Sequence, residues 1–170
     1  MYELAQLFFQ IAIFRLGPQD VPASPLVLKL VIPVYIAINY LVLLLNGATA
    51  GAVLQIGVDF LLIAGFCWPL LFFSGKPARF PQTFAAMLGV DSVISFCALP
   101  AVATLNTHAN NLAYFSMLGL VLWHWLASGH IIRHALDRSL FFGLGLALLY
   151  MMLSSQIMTA LFPEISGATQ

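Results

Sequence analysis

The chain has 170 residues, of which 62% are hydrophobic and 7% are charged, and its formal net charge is zero. Soluble domains carry about a quarter charged residues, because those residues cover the surface that faces water. The composition therefore excludes a soluble globular domain and predicts a protein that lies in a lipid bilayer. The neutral charge, with no basic arm or stripe, argues against nucleic acid as a partner.

Residues 1–17 form the first predicted element. Glu3, Gln6 and Gln10 recur at helical spacing and share one face, and apolar side chains cover much of the rest. A helix of about 15 residues is about 22 Å long, which is too short for a hydrocarbon core of about 30 Å. We therefore expect an amphipathic helix that lies in the membrane interface. The acidic start and the lack of a small-residue cleavage site do not favour a cleaved signal peptide.

Residues 18–25 are a predicted linker, in which Ser24 is expected to cap the next helix and Pro25 to occupy its first position. The chain from residue 26 to residue 162 contains apolar segments that are each long enough to cross a bilayer. These five predicted spans are residues 26–45, 51–73, 81–105, 112–130 and 139–161. The sequence thus predicts an all-α, polytopic membrane protein with five transmembrane helices and a polar tail at 163–170.

The six Lys and Arg residues indicate how the spans are oriented. They fall near the N-terminus, in the turn after the second span and in the turn that we place at 130–138, after the fourth span. With five spans these places lie on one side of the membrane, and the turns at 46–50 and 106–111 on the other side have neither Lys nor Arg. Because Lys and Arg are enriched in cytoplasmic loops, we expect a cytoplasmic N-terminus and an external C-terminus. The cations expected to contact cytoplasmic lipid headgroups are Lys29, Lys76, Arg79, Arg133 and Arg138.

Four polar residues stand out inside the predicted spans, namely Asn39, Asp59, Asp91 and His124. From the helical rise, Asn39 and Asp59 lie about 10 and 12 Å from the external end of their spans, whereas Asp91 and His124 lie about 21 and 18 Å from it. A charge at the bilayer centre costs at least ~2.5 kcal/mol, so such groups normally have partners within the protein. By depth, we expect Asn39 to meet Asp59 and Asp91 to meet His124.

These buried polar residues have two interpretations. Asp59, Asp91 and His124 are the residue types of a proton or ion relay, and the same groups also serve as hydrogen-bonded links between helices. His130 and His134 are four residues apart and offer one face to a metal, but no HExxH pattern or third ligand accompanies them. We therefore expect these two histidines to cap the end of the fourth span. No catalytic residue, metal site or cofactor is predicted.

The segment from about residue 26 to residue 161 resembles the Yip1 family, in particular its small bacterial members. The first shared feature is the number of spans, which is five. The second is the start of the third span at Phe80-Pro81-Gln82-Thr83-Phe84, after a basic turn. The third is the run Trp123-His124-Trp125-Leu126 up to Gly129, which is followed by Arg133, Arg138, Ser139 and Leu140. The Asp-Leu-Tyr-Gly-Pro segment of the eukaryotic members is absent, so binding of small GTPases is not implied. The resemblance implies an integral protein of the bacterial inner membrane with a role in membrane organisation.

Three functional hypotheses follow from the sequence. The first is a non-enzymatic, Yip1-like scaffold or accessory subunit, whose partners are the lipid bilayer and another membrane protein or a second copy of the chain. The second is a small proton- or ion-coupled transporter or channel that uses Asp59, Asp91 and His124. The third is an intramembrane enzyme that acts on lipid through His130 and His134, for which the sequence offers no nucleophile. A dry, closed bundle favours the first hypothesis, and a wet cleft that touches both aspartates favours the second.

Overall fold

The structure is a computed structural model that describes residues 2–47, 51–107 and 111–163. Over these residues the chain is helical and contains no β-strand. The α-helices, in chain order, are α1 (Tyr2–Ala12), α2 (Pro25–Leu45), α3 (Ala52–Phe73), α4 (Phe80–Thr107), α5 (Asn111–Leu136) and α6 (Leu140–Leu161). Short 3₁₀ turns at Pro18–Asp20 and Pro77–Arg79 precede α2 and α4.

Within the described ranges, five helices, α2 to α6, are long and apolar enough to cross a membrane. This confirms the predicted all-α, polytopic fold with five spans. His108, which belongs to a predicted turn, and residues 164–170 of the predicted tail lie outside the described residues.

Local signals in the sequence account for the start of two spans. Ser24 Oγ accepts a hydrogen bond of 3.3 Å from Leu26 N, with Pro25 first in α2, as predicted. Ser139 Oγ accepts a hydrogen bond of 3.4 Å from Phe142 N and caps α6. These caps satisfy backbone donors that have no partner within the helix.

The fourth span is longer than the sequence predicted. α5 continues to Leu136, whereas the predicted span ended at residue 130. Cationic side chains near a helix C-terminus interact favourably with the helix dipole, so Arg133 and its neighbours extend the helix instead of forming a turn. The chain changes direction at Asp137, whose φ of 53° is left-handed.

The spans run alternately up and down, so their connections lie at two ends of the bundle. Residues 74–79 and 137–139 meet at the end that we call the basic end, where Lys76 forms an ion pair with Asp137. At the opposite end, which we call the distal end, Asn106 Nδ2 donates a hydrogen bond of 2.5 Å to Leu45 O. This contact ties the last turns of α2 and α4 together.

α4 is the central helix of the bundle. It contacts α1, α2, α3 and α5, and every residue from Thr83 to Val90 is buried. A helix that is apolar on all sides belongs inside a bundle, where neighbouring helices cover it. Large apolar side chains on the outside of the other helices, such as Phe73 and Phe141, are exposed, as expected for a surface that faces lipid.

α1 packs along the bundle instead of lying across its end. Leu16 O is 2.9 Å from His130 Nε2, and Ala12 O accepts a hydrogen bond of 2.7 Å from Trp123 Nε1. Trp123 and His130 are two turns apart on α5, so the two contacts are separated by about 10 Å along that helix. The buried face of α1 therefore meets protein at the depth of the spans. This position differs from the predicted helix in the membrane interface, because the amphipathic pattern gives a buried face but not what covers it.

Gly89 of α4 makes the close approach of α1 possible. A Cβ atom at this position would meet the ring of Phe8, which is 5% exposed. We expect Gly89→Val to displace α1 and to lower the free energy of unfolding by about 2 kcal/mol, because an overpacked contact forces the backbone to move. The measurement is unfolding in detergent, combined with limited proteolysis of residues 2–12.

Phe8→Ala provides the matched control for that substitution. The smaller side chain removes the ring that clashes, so the double variant should be more stable than the sum of the two single effects predicts. Strict additivity would contradict a direct contact between the two positions.

Candidate functional site

Polar side chains from four helices meet in the middle of the bundle. Asp59 comes from α3, Asp91 from α4 and His124 from α5, and α2 provides Tyr35 and Asn39. We call these five residues the polar cluster. Tyr35 and Asn39 are one turn apart and therefore lie on the same face of α2. The bundle thus collects ionisable groups that are far apart in the sequence.

Asp91 is the centre of the polar cluster. Its Oδ2 accepts a hydrogen bond of 3.0 Å from Asn39 Nδ2, and its Oδ1 lies 3.7 Å from His124 Nε2. Asp59 Oδ2 accepts a hydrogen bond from the hydroxyl of Tyr35. The side chains of Asp91 and His124 are 15% and 29% exposed, so both are sheltered but not sealed. Each carboxylate has a protein partner, as ionisable groups at membrane depth require.

The structure brings the four predicted polar residues together, but it contains only one of the two predicted pairs. Asp91 and His124 are neighbours, as expected. The predicted pairing of Asn39 with Asp59 was wrong, because the Asn39 amide donates to Asp91 Oδ2 and, at 3.1 Å, to the backbone oxygen of Tyr35. Depth along a helix does not determine which helices are adjacent, and α2 packs mainly against α4.

Two buried tyrosines were missing from the prediction. Tyr35 is fully buried and Tyr150 of α6 is 6% exposed. Both carry a polar hydroxyl on an apolar ring, so in a hydrophobic span they look like core residues. Helical spacing was the available signal, because Tyr35 precedes Asn39 by one turn and Tyr150 precedes Ser154 by one turn.

A cavity of about 200 Å³, which we call the cluster cavity, opens beside the polar cluster. Asp59, Asp91 and His124 line it, and α6 adds Tyr150 and Ser154. A water molecule occupies about 30 Å³ in the liquid, so the space holds several. Its polar lining offers water the hydrogen-bond partners that it needs. The two carboxylates therefore share a space that can be wet.

The groups around the cluster cavity can hold and exchange protons. A carboxylate accepts hydrogen bonds and becomes a donor once protonated, and neutral imidazole and tyrosine hydroxyl do both. Neither Lys nor Arg lines the cavity in the described part of the chain. No fixed positive charge on this lining therefore repels a proton or a small cation that enters it.

A second polar site lies at the basic end, where two cations cap α5. Lys76 Nζ donates to Leu136 O at 2.6 Å and to Asp137 Oδ2 at 2.7 Å. Arg79 Nη1 donates to Ala135 O at 3.1 Å and to Asp137 Oδ2 at 2.9 Å. The last carbonyl groups of a helix lack partners within it and carry partial negative charge, so both contacts stabilise the end of α5.

These contacts give two of the basic residues a role within the protein. The nitrogens of Lys76 and Arg79 bind the end of α5, because its free carbonyls lie within reach, and their expected contact with lipid headgroups stays a prediction. Arg133 Nη2 is 3.1 Å from His134 Nε2. Lys29 and Arg138 are exposed, and their contact with headgroups stays a prediction.

His130 and His134 form part of the same end of α5. Their rings pack edge to face with centroids 4.5 Å apart, and Phe14 lies against the His130 ring. Among the described residues no three His, Cys, Asp or Glu side chains group in a way that could hold a metal ion. Through its contact with Leu16 O, His130 ties the segment after α1 to α5.

Asp137 makes the contribution of the basic end to the stability of the fold depend on pH. The hydrogen bond from Lys76, and then that from Arg79, holds the pKa of this carboxyl below its ordinary value of 3.8. A group whose pKa is lowered by folding stabilises the fold above its unfolded pKa, and this contribution is lost as the pH falls through the folded value. Asp137→Asn should therefore lower the unfolding midpoint slightly at neutral pH. The difference in midpoint between the variant and wild type should disappear at pH values well below 3.8.

Thermal unfolding in detergent, at neutral and strongly acidic pH and at low and high salt, measures this difference. The effect should be small and should shrink in high salt, because the ion pairs are exposed. Equal midpoints for wild type and variant at neutral pH and low salt would contradict the role given to Asp137.

Comparison with protein-family models, with curated proteins and with solved structures finds no match for this chain. The function is therefore inferred from the polar cluster and the cluster cavity. The resemblance to the Yip1 family stays a prediction from the sequence.

Proposed function

We propose that this protein carries protons across the membrane, either alone or coupled to the movement of a small ion. The observation that supports the proposal is the cluster cavity, in which Asp59, Asp91 and His124 line one space of about 200 Å³. Chains of Asp, Glu and His within spans are typical of proton relays in pumps and transporters. Of the hypotheses from the sequence, this is the one favoured by a wet cleft that touches both aspartates.

The energetic balance also supports exchange of protons over a purely structural role. Insertion of an Asp at the centre of a spanning helix costs about 2.5–3.5 kcal/mol. A hydrogen bond between helices in a membrane contributes only about 0.6 kcal/mol on average. The bonds from Tyr35 to Asp59 and from Asn39 to Asp91 therefore offset only part of the cost of two carboxyl groups, and the remaining contact, from His124 to Asp91, joins two groups that exchange protons. Apolar side chains would fill the same space at lower cost.

The proposed location is the inner membrane of a bacterium, with the basic end in the cytoplasm and the distal end outside. The basis is the distribution of Lys and Arg, which avoids the turns of the distal end. In this orientation α2 starts on the cytoplasmic side and the C-terminus is external.

A Yip1-like scaffold or accessory role is the second candidate. It is favoured by the tight contact of α5 with α6, where Gly129 and Gly143 bring the two backbones together, since small residues at helix contacts are typical of stable bundles. Its partner would be another membrane protein or a second copy of the chain. Copurification from native membranes tests this role.

A proton-flux assay in liposomes tests the transport proposal. The purified full chain is reconstituted into liposomes that contain a pH-sensitive dye, and a potassium gradient with valinomycin supplies the driving force. We expect the lumen pH to change faster than in liposomes without protein. Proteoliposomes that stay as tight as protein-free liposomes, at acidic and neutral pH and with Na⁺ or K⁺ gradients, would reject transport and leave the scaffold role.

A further inference from the structure

A second cavity, of about 270 Å³, lies between α2, α4 and α5 on the distal side of the polar cluster. We call it the distal cavity. Its lining starts at Asn46, at the distal end, and reaches His124. The same imidazole lines the cluster cavity. His124 therefore borders both spaces.

The lining of the distal cavity follows the helical repeat. It includes Ser95, Ala98, Val102 and Leu105 of α4, and Met117 and His124 of α5. Residues three or four positions apart lie on one face of a helix, so the α4 residues continue the face that carries Asp91. The distance from Leu105 to Ser95 along α4 is about 15 Å. The distal cavity thus covers most of the way from the distal end to the polar cluster.

On the other side of the polar cluster, α3, α4 and α5 pack closely along the faces that carry it. One helical turn closer to the basic end than Asp59, Asp91 and His124, the side chains are tightly buried. These residues are Ile63, Met87 and Ser128, with 3%, 4% and 1% exposure. Beyond them Cys67, Phe84 and Ile131 are also buried in the main apolar core. A proton that leaves toward the basic end between these three helices has to cross this packed layer.

We infer that the distal cavity is a water-filled access path, through which protons reach His124 and then Asp91 from the distal end, whereas α3, α4 and α5 are packed together on the basic side of these residues. The role of this path rests on the proposed function, although its existence can be tested separately. Asn46 and His124 supply polar groups at its two ends, and Ser95 supplies one between them. Ionisable residues at membrane depth generally face the bundle interior or a cavity filled with water, and His124 does so.

The charges that face His124 favour the arrival of a cation. Asp91 approaches it from α4, and Asp59 from α3 and Tyr150 from α6 line the same cluster cavity. α2 adds the Tyr35 hydroxyl, through its bond to Asp59. Within the described ranges, neither cavity is lined by a Lys or an Arg. The ionisable groups on this path are therefore acids, the imidazole and the tyrosine hydroxyls.

Cysteine labelling tests the access path. Ser95→Cys is placed in a full chain that carries Cys67→Ser and Cys97→Ser, and it is exposed to a membrane-impermeant, charged methanethiosulfonate on either side of sealed vesicles. The matched control is the chain with Cys67→Ser alone. Its remaining thiol, Cys97, is two residues from Ser95 and lines the apolar groove beside α1. Ser74→Cys, at the basic end, marks the side from which the reagent acts.

We expect the Ser95→Cys thiol to react from the distal side at least tenfold faster than Cys97. Equal rates for the two thiols, or reaction of Ser95→Cys from the basic side alone, would overturn the inference and indicate a cavity filled by lipid or side chains. Met117→Cys, which lies in the same lining on α5, replaces Ser95→Cys if that variant does not fold into a monodisperse protein. Fast labelling without proton flux would support the access path and reject transport, and flux without labelling would reject the path.

Discussion

Asp91→Asn is expected to reduce proton flux about a hundredfold, the typical loss when a positioned acid–base group is removed. The amide keeps the size of the side chain and can still accept a hydrogen bond from Asn39, so the bundle should remain folded. It cannot take up or release a proton at neutral pH. Because Asp91 contacts both Asn39 and His124, its loss removes the carboxylate that lies against the imidazole.

The liposome assay gives the flux, and unfolding in detergent shows whether the variant is folded. Asp137→Asn is the matched control, since it makes the same substitution at the basic end, outside the polar cluster, and should leave flux unchanged. If the Asp91→Asn protein carries protons as fast as wild type, the Asp91 carboxyl serves only to hold neighbouring helices together. A similar loss in both variants would point to a general effect of the substitution.

Gly143→Val is expected to separate α6 from α5 and to lower the free energy of unfolding by about 3 kcal/mol, near the upper end for overpacking. A Cβ atom at position 143 would clash with the backbone oxygen of Gly129 and lie 2.9 Å from Arg133 Cβ. Gly129 is equally confined, because its own added Cβ would lie 3.0 Å from Leu144 Cα. Backbone atoms cannot rotate away as a flexible side chain does, so the helices have to move apart.

Gly145→Val is the control for this effect. A Cβ atom at Gly145 meets nothing within 4 Å, so the same change in backbone freedom occurs there without a clash. Denaturant unfolding of the purified proteins, followed by helical content, measures both variants. A Gly143→Val protein as stable as Gly145→Val would refute the close packing of α5 and α6.

The spans were predictable because lipid imposes a simple requirement on sequence. An apolar run has to cover the hydrocarbon thickness, and the caps and turns between runs carry recognisable residues. Ser24 and Pro25 therefore marked the start of α2 to the residue. The end of α5 was harder, because His130, Arg133 and His134 look like a turn by polarity although a helix C-terminus accommodates cations.

The contacts between helices were less predictable, since a sequence gives depth and face but not neighbours. Asp91 and His124 were paired correctly by depth, whereas Asn39 was assigned to the wrong carboxylate because the adjacency of α2 and α4 was unknown. The distal cavity is also a property of packing. It depends on small or short side chains at Ser95 and Ala98, and each is unremarkable by itself.

The position of α1 constrains how the protein is made. Its partners Gly89 of α4 and Trp123 of α5 are synthesised after it. While the ribosome is still producing the later helices, the apolar face of α1 has no protein to cover it, and an amphipathic helix in that state rests among the lipid headgroups. The contacts of α1 are therefore complete only once α4 and α5 have been inserted, so an early segment of the chain reaches its final place late.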